Sequence, residues 1–297
     1  MSWRKLTWLA IAVLIIINAA FAITISSDYV SNNYYDAASV AGIIDILSES
    51  GITLENKDFP TKRVDLPVYN LPDSESALKN AAMAMSDGET EYADGAYTFR
   101  YGDGTLTLHG DFTFEYAADS YVPSEYGGEP LSNDKKAAKV KSASLSFIDG
   151  VVEEMGGEAR KKIADISYSV DNVRLVSEST YRVEVREYID TYKTMNEIDV
   201  VVENGNVVSA KGSMIVLPPT GEFSANNFEL FDILIKEKRY FDGAENAAPM
   251  TVSSIEYIYD MCFDVFNNIY LIPACAITYT DGTVHIYDVV SSDLISE

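Results

Sequence analysis

Histidine is the side chain best suited to act as a general base near neutral pH, and this chain of 297 residues has two, His109 and His285. Each lies beside a turn signal, on a segment that the sequence predicts to be a strand. We therefore expect both to be exposed strand residues, and neither a general base nor a metal ligand. The sequence also lacks G-x-S-x-G, H-E-x-x-H, the P-loop and the dinucleotide-binding glycine fingerprint.

Carboxylates are the most abundant reactive groups. A pair of them could cleave a glycosidic bond, but 46 acidic residues make any one pair uninformative. Four acids form a cluster that could bind Ca²⁺ weakly: Asp87, Glu89, Glu91 and Asp94. The cluster lacks EF-hand spacing, which favours a solvated loop. The tetrapeptide Ser132–Lys135 matches S-x-x-K of penicillin-binding enzymes, but no K-T-G follows and its position favours a helix cap. We expect no enzyme, no metal and no cofactor.

Two cysteines, Cys262 and Cys275, complete the set of reactive side chains. Outside the cytoplasm they could form one disulfide, or they could remain two separate buried thiols. The spacing does not decide between these alternatives, because a disulfide depends on three-dimensional geometry.

The charge of the chain excludes one class of partner. The net charge is −24 at pH 7. Such an acidic protein repels nucleic acid and anionic polymers. Nucleic acid is therefore not an expected partner, while a hydrophobic content of 47% allows a folded core.

The stretch from Leu6 to Ile25 predicts a transmembrane helix. Its twenty residues carry no charge, and at about 1.5 Å per residue they span the hydrocarbon core of a bilayer. Arg4 and Lys5 precede it, which predicts a cytoplasmic N-terminus and an extracellular C-terminal domain. The expected localisation is thus a single-pass protein of the cell membrane. Ala20–Ala22 also has the form of a signal-peptidase site, so cleavage after Ala22 is the alternative.

A polar amide within this stretch indicates a contact with another membrane helix. Asn18 has no water to bond there, and an interhelical hydrogen bond is worth about 0.6–2 kcal/mol. Helical spacing places five residues on one face that we expect to contact a partner: Thr7, Ile11, Leu14, Asn18 and Ala22. The alternative is that Asn18 is tolerated at modest cost.

The distribution of helix and turn signals divides the chain. We expect a cytoplasmic tail at 1–5, the anchor at 6–25, a linker at 26–35, an N-terminal extracytoplasmic domain at 36–120, a linker at 121–132 and a C-terminal extracytoplasmic domain at 133–297. Helices laid across one face of antiparallel sheets predict an α+β fold. In this fold the transmembrane helix is followed by repeated units of a helix and an antiparallel β-meander.

Local signals place individual elements. Asp36 predicts the cap of a helix that ends before Gly51, and residues 133–155 predict a long helix. The tetrapeptide Glu203–Asn206 predicts a type I′ hairpin turn between two long strands.

One predicted strand, at 180–190, has an interrupted alternation. Tyr181, Val183, Val185 and Tyr188 indicate one buried face with a slip or bulge near Glu187.

Both ends of the chain carry motifs of a known family. The N-terminal motifs are Met1-Ser2-Trp3-Arg4-Lys5, Leu14-Ile15-Ile16-Ile17-Asn18 in the anchor, and Gly51-Ile52 after a helix. The C-terminal motifs are Ile272-Pro273-Ala274, Thr280-Asp281-Gly282-Thr283 and Asp288. In these motifs the chain resembles the YycI branch of the YycH/YycI family of Firmicute membrane proteins, and its end resembles the closing hairpin of PepSY-like domains. It departs from the family at Cys275, where a bulky aromatic is usual, and at Ser291-Ser292-Asp293, where a Gly-containing turn is usual.

The resemblance implies a non-enzymatic accessory protein that regulates an essential cell-wall sensor histidine kinase. Its membrane helix would contact the kinase, and its exported domain would pair with a YycH-like sister protein. It also implies a YycI/PepSY-like end to the α+β fold. A second function follows from the residues without the resemblance. The twenty tyrosines could line a sheet face of an anchored or secreted module that binds a wall fragment, a peptide or a cation.

Overall fold

The computed structural model describes residues 33–72, 74–86, 90–122, 129–131, 135–155, 164–215, 219–224, 228–243, 248–264 and 268–296. The helices in these ranges are α1 Ala37–Ser48, α2 Ser74–Met85, α3 Lys135–Glu154 and α4 Leu230–Gly243, with a 3-10 helix at Asn56–Asp58. The strands are β1 Ile52–Thr53, β2 Val68–Asn70, β3 Thr90–Ala93, β4 Ala96–Tyr101, β5 Gly104–His109, β6 Thr113–Ala118, β7 Glu129–Pro130, β8 Ile166–Leu175, β9 Thr180–Ile189, β10 Tyr192–Glu203, β11 Asn206–Ser213, β12 Gly221–Phe223, β13 Met250–Phe263, β14 Ile269–Tyr279, β15 Val284–Asp288 and β16 Leu294–Ser296.

This architecture corrects the predicted fold class. The described residues form a mostly β structure of 16 strands and four α-helices, and not an α+β fold of repeated helix-and-meander units behind a transmembrane helix. Pairing joins strands that are distant in the sequence: β1 pairs with β13 in parallel, and β2 pairs with both β12 and β14. Long-range pairing of this kind leaves no local periodicity, so the sequence pattern missed it.

The predicted membrane topology is corrected as well. In the described part of the chain no helix is long and apolar enough to cross a membrane. On that finding the structure does not support the expected localisation, a single-pass membrane protein. The predicted span at 6–25 and its contact face (Thr7, Ile11, Leu14, Asn18 and Ala22) lie outside the described residues.

The chain divides into two compact units. The first comprises Met1–Leu66, Asn227–Glu256 and Cys275–Glu297, and the second comprises Pro67–Asn226 and Tyr257–Ala274. The stretch predicted as an interdomain linker, 121–132, thus belongs to the second unit.

In the first unit, helix α1 begins where the sequence predicts. Asp36 is its N-cap, and the side chain accepts a 2.9 Å hydrogen bond from the backbone N–H of Ser39. Gly51, with φ of +80°, follows the helix and reverses the chain before β1. The predicted cap and the predicted stop are both confirmed.

An aromatic cluster connects the segments before and after α1 to α4 within this unit. The rings of Tyr35, Phe59 and Phe231 lie 4.7–5.8 Å apart. The Tyr35 hydroxyl accepts a hydrogen bond of 3.2 Å from the backbone N–H of Leu230, the first residue of α4. The cluster therefore combines apolar burial with satisfaction of a free helix-end N–H.

The second unit contains an antiparallel run of eight strands in the order β3-β4-β5-β6-β11-β10-β9-β8. Its hairpins are local, as the alternating sequence predicts. Asn204 and Gly205 both have positive φ, +52° and +88°, which confirms the predicted turn between β10 and β11.

One face of this run is covered and the other is open among the described residues. Helix α2 packs against β4 and β5, and α3 packs against β8 to β11. In β9 the residues Tyr181, Val183 and Val185 are buried, whereas Arg182 and Glu184 between them are partly exposed. The helices therefore cover the apolar face, and the polar side chains occupy the opposite one.

Candidate functional site

The open face of the second unit carries a line of polar side chains. Residues directly opposite each other on neighbouring strands lie on the same face of a sheet. One such line crosses all eight strands, and we name it the polar row: Glu91, Thr98, Thr107, Glu115, Lys211, Asp199, Glu184 and Asn172. No member of the polar row is buried.

A second line runs beside the polar row, two residues further along each strand. At its centre are three small side chains, Ala117, Ser209 and Val201, which we name the small row. Arg182 on β9 is directly opposite Val201 and extends this line at one end. At the other end Thr105 is opposite Ala117. Small side chains between longer ones create a depression in the sheet surface.

A groove of about 540 Å³ lies over the small row. Its lining includes the small row, Glu115, Lys211 and Asp199 from the polar row, Arg182, and Tyr121 beyond the end of β6. The volume is within the roughly 300–1,000 Å³ range of small-molecule sites. The floor is thus small and uncharged, whereas the rim offers charges of both signs and one aromatic ring.

One pair of rim charges is held rigidly. The Arg182 guanidinium donates to both carboxylate oxygens of Asp199, from Nε at 2.8 Å and from Nη2 at 2.5 Å. The hydrogen bond to Asp199 raises the pKa of Arg182 above its ordinary value. A two-point contact of this kind fixes the plane of the guanidinium and leaves its remaining N–H groups available.

A second set of rim charges is not paired. Lys211 and Glu115 are directly opposite on β11 and β6, and both are exposed. Among the residues that the structure describes, neither makes an ion pair, and Lys211 also makes none with Asp199 on its other side. Both charges are therefore available to a ligand.

A glycine keeps β11 close to β10 beside the groove. Gly212 has φ of +156°, and a Cβ atom at this position would clash with the backbone carbonyl of Glu197. Its bare backbone leaves a second depression of about 400 Å³ on the other side of the polar row, lined by Thr113, Glu197 and Gly212 among others. Glu115, Lys211 and Asp199 line both depressions and separate them.

The covered side of the same strands holds a buried carboxylate. Glu187 on β9 is 0% exposed. Its Oε1 accepts from the Tyr168 hydroxyl at 2.9 Å and from the Ile215 backbone N–H at 2.8 Å. Its Oε2 accepts from the Asn196 amide at 2.5 Å and from the Thr194 hydroxyl at 3.3 Å. Four donors thus replace the water that this carboxylate has lost.

A bulge in the neighbouring strand supplies two of these donors. Lys193 is opposite Tyr188, but the next paired residue of β10 is Glu197, opposite Arg186. Three residues of β10, 194–196, therefore face Glu187. A bulge does lie opposite Glu187, but it belongs to β10 and not, as predicted, to the strand at 180–190. In β9 the alternation continues through Glu187 and Ile189, so the expected burial of Tyr188 is wrong.

The first unit holds another buried carboxylate, Glu237 of α4, which is also 0% exposed. Its Oε1 accepts from the Tyr279 hydroxyl and lies 2.8 Å from Nδ1 of His285. Its Oε2 accepts from the Tyr287 hydroxyl. Burial and the Glu237 charge raise the pKa of Tyr279 above its ordinary range.

His285 was expected to be exposed, and this is wrong. It is 3% exposed, and its ring also contacts those of Tyr240, Phe241 and Tyr279 at 5.1–6.2 Å. The two buried glutamates line neither depression of the open face. We interpret both clusters as internal polar contacts that specify packing, since a substrate would have to reach fully buried atoms.

The structure also locates the two cysteines and part of the acidic cluster that the sequence singled out. Cys262 and Cys275 are not joined by a disulfide; Cys262 is half-buried and Cys275 is buried. Burial, and then the charge of Glu237, raises the pKa of Cys275 to about 12. In the acidic cluster, Glu91 begins the polar row and Asp94 lies in the β3–β4 turn, while Asp87 and Glu89 lie outside the described residues. Across the described ranges, no group of three His, Cys, Asp or Glu side chains could hold a metal ion.

Neither the groove nor the burial of the two glutamates was predicted from the sequence. Signals existed for the glutamates, because each occupies an apolar position of its own element's period. Glu187 continues the buried alternation of β9, and Glu237 continues the line of Leu230, Ile233 and Leu234 in α4. No local signal marked the groove, because its floor comes from three strands whose pairing is tertiary.

A comparison with known proteins found similarity at the level of structure alone. No family model matches the chain, and no curated protein matches it. The structure is similar to that of an uncharacterized protein from Eubacterium rectale, with a TM-score of 0.40 and 11% identity. The similarity covers 86% of this chain and 98% of that chain.

Proposed function

We propose that this protein is a non-enzymatic binding module whose ligand occupies the groove over the small row. The observation that carries the proposal is the form of that groove. A floor of Ala117, Ser209 and Val201 lies below a rim of charges, two of which have no ion-pair partner among the described residues. A ligand that supplies both opposite charges would replace water on Glu115 and Lys211 with direct contacts.

Binding accounts for these features better than catalysis does. The acids of the rim lie on an open, solvated sheet face, whereas a general acid normally depends on a desolvated site to shift its pKa. The carboxylates that are desolvated, Glu187 and Glu237, each have three or more polar contacts inside the protein. The sequence also lacks the catalytic motifs named above.

A groove-filling substitution tests the proposal. Ser209→Phe places a ring on the floor, and strands accept aromatic residues well. Ser169→Phe is the matched control, since Ser169 is on the same open face but on β8, away from the groove. Thermal unfolding is followed with short peptides, cell-wall fragments and Ca²⁺ as probes.

We expect one probe class to stabilise the wild-type protein by about 2.7 kcal/mol at a hundred times its Kd. The same probe should stabilise Ser169→Phe equally and Ser209→Phe hardly at all. Equal stabilisation of both variants would place binding elsewhere and contradict the proposal. So would the absence of any stabilising probe.

Regulation of a sensor histidine kinase, with a YycH-like sister protein, stays a prediction from the family resemblance. Its expected contact face lies outside the described residues, so no contact described above bears on it. Co-purification of the full chain with such a kinase would test it, and failure to co-purify would count against it.

A further inference from the structure

We infer that the open face of the second unit is also a self-association surface, and that its partner is the same face of a second copy of this chain. The inference goes beyond the proposed function, because it assigns a protein partner to the sheet around the groove. It depends on three properties of the face: the order of charges in the polar row, the small side chains beside them and the area of the face.

Two charges at the middle of the face form a self-complementary pair. Glu115 and Lys211 are directly opposite each other on β6 and β11, the two central strands of the eight. Neither has an ion-pair partner among the described residues. A two-fold axis along the strands, between β6 and β11, sets a second copy face to face with the first and exchanges these two strands. Lys211 of each copy then lies over Glu115 of the other, so one rotation supplies both charges with an opposite charge.

The rest of the polar row agrees with this axis. The same rotation exchanges β5 with β10, β4 with β9 and β3 with β8. Each remaining acid of the polar row then faces a neutral side chain that can donate a hydrogen bond. The facing pairs are Thr107 with Asp199, Thr98 with Glu184, and Asn172 with Glu91. No acid of the polar row faces another acid.

The neighbouring axes do not have this property. An axis along β6 would set Glu115 over its own copy, and an axis along β11 would set Lys211 over its own copy. An axis between β5 and β6 would set Glu91 over Asp199. An axis between β11 and β10 would set Glu115 over Glu184. Because like charges that face each other oppose association, the polar row favours the axis between β6 and β11.

The small row allows the two sheets to approach at the same axis. Under the rotation Ala117 lies over Ser209 of the second copy, and Thr105 lies over Val201. All four side chains are uncharged and none is long. The centre of the contact is therefore free of bulky groups, and two twisted sheets can pack there with their strands nearly aligned.

One contact between like charges remains, and each partner already has a counter-charge. The rotation sets Arg100 over Arg182 of the second copy. Within its own chain Arg100 pairs with Asp119 at 2.7 Å. Arg182 pairs with Asp199 at 2.5 Å. Each guanidinium therefore enters the contact as a neutralised pair.

The area of the face indicates a weak dimer. Seven strand spacings of about 4.8 Å give a width of about 34 Å, and five residues of strand at about 3.3 Å give a depth of about 17 Å. The projected area of roughly 570 Å² is below the roughly 800 Å² per partner of a standard interface. We therefore expect a Kd on the order of 100 µM. The groove lies within this face, so its ligand and a second copy exclude each other.

Reversal of the two central charges provides the test, by sedimentation equilibrium at about 0.15 M salt. The variants are Glu115→Lys, Lys211→Glu and the double variant with both changes. Each single variant sets like charges over each other in its own dimer. In a mixture of the two, the basic positions of one variant face the acidic positions of the other. The matched control is Lys139→Glu, which makes the same charge change on the exposed side of α3, the helix that covers the other face.

We expect each single variant to associate at least about tenfold more weakly than the wild type, because like charges meet at the axis. The mixture of the two single variants, the double variant and Lys139→Glu should each associate within about threefold of the wild type. Glu115→Lys lowers the net negative charge of the chain, so general repulsion predicts the opposite result for this variant.

Three results would overturn the inference: a wild type that stays monomeric up to about 1 mM, a single variant that associates as the wild type does, or a mixture of the two that does not associate. The groove-filling pair, measured at about 2 µM where the chain is monomeric, separates this failure from that of the proposed function. If a probe stabilises Ser169→Phe but not Ser209→Phe while the wild type stays monomeric, the groove binds its ligand and only the self-association is wrong. If association follows the charge pattern and no probe distinguishes these two variants, the inference holds and the proposed ligand site is wrong.

Discussion

The two units satisfy a buried glutamate in different ways. In the second unit Glu187 accepts from a phenol, an amide, an alcohol and a main-chain N–H. In the first unit Glu237 contacts two phenols and a histidine, all of them side chains. A main-chain N–H cannot rotate away from its place when its acceptor is lost, whereas hydroxyl groups rotate and a histidine can change tautomer. Two equally buried glutamates should therefore differ in how much stability is lost when the carboxylate is removed, because their donors differ in how freely they can reorient.

The largest expected effect is the truncation of Glu187. Glu187→Ala leaves four donors without an acceptor, including the Ile215 N–H, and opens a small cavity. Breaking a buried charged network costs about 3–5 kcal/mol, and we expect about 4 kcal/mol. Urea unfolding measures the loss, and hydrogen exchange should show it in β9 and β10. The control Glu178→Gln, at an exposed turn position, should change stability by less than about 0.5 kcal/mol. A cost below about 1 kcal/mol would mean that the buried network contributes little.

Truncation of Glu237 should cost less. Glu237→Ala leaves Tyr279, Tyr287 and His285, each of which can reorient, so we expect about 2 kcal/mol. The same unfolding measurement applies, with exchange followed in α4 and β15. The comparison between the units fails if Glu237→Ala costs more than Glu187→Ala.

Alkaline pH should destabilise both units, because each holds a phenol whose pKa burial raises. Burial raises the pKa of Tyr69 and of Tyr101 to about 12 and those of Tyr259 and Tyr279 higher. Above pH 10 the unfolded chain releases these protons and the folded chain keeps them. The contribution of these phenols to stability is therefore fully present below pH 10, and it is lost as the pH rises towards the folded-state pKa values.

Urea unfolding at pH 8, 10 and 11.5 checks this pH dependence. Tyr259→Phe and Tyr279→Phe each remove one ionisable phenol, so each variant should lose less stability between pH 10 and 11.5 than the wild type does. A stability that is constant or rises over this interval would contradict the raised pKa values.

Sequence alone determined the features that depend on a few neighbouring residues. Asp36 capped α1 as predicted, and Asn204–Gly205 formed the expected turn, because a cap or a two-residue turn is completed by local backbone geometry. The hairpin strands of the second unit followed from alternation for the same reason.

Tertiary structure alone decided the sites. The parallel pairing of β1 with β13 joins residues about two hundred positions apart, and the groove floor combines β6, β11 and β10. The burial of Glu187 and Glu237 depends on donors from other elements, so sequence pattern favoured an exposed His285 and a buried Tyr188 in error. A polar side chain becomes stable in a core only when distant segments bring it hydrogen-bond partners, and no local window of sequence contains that information.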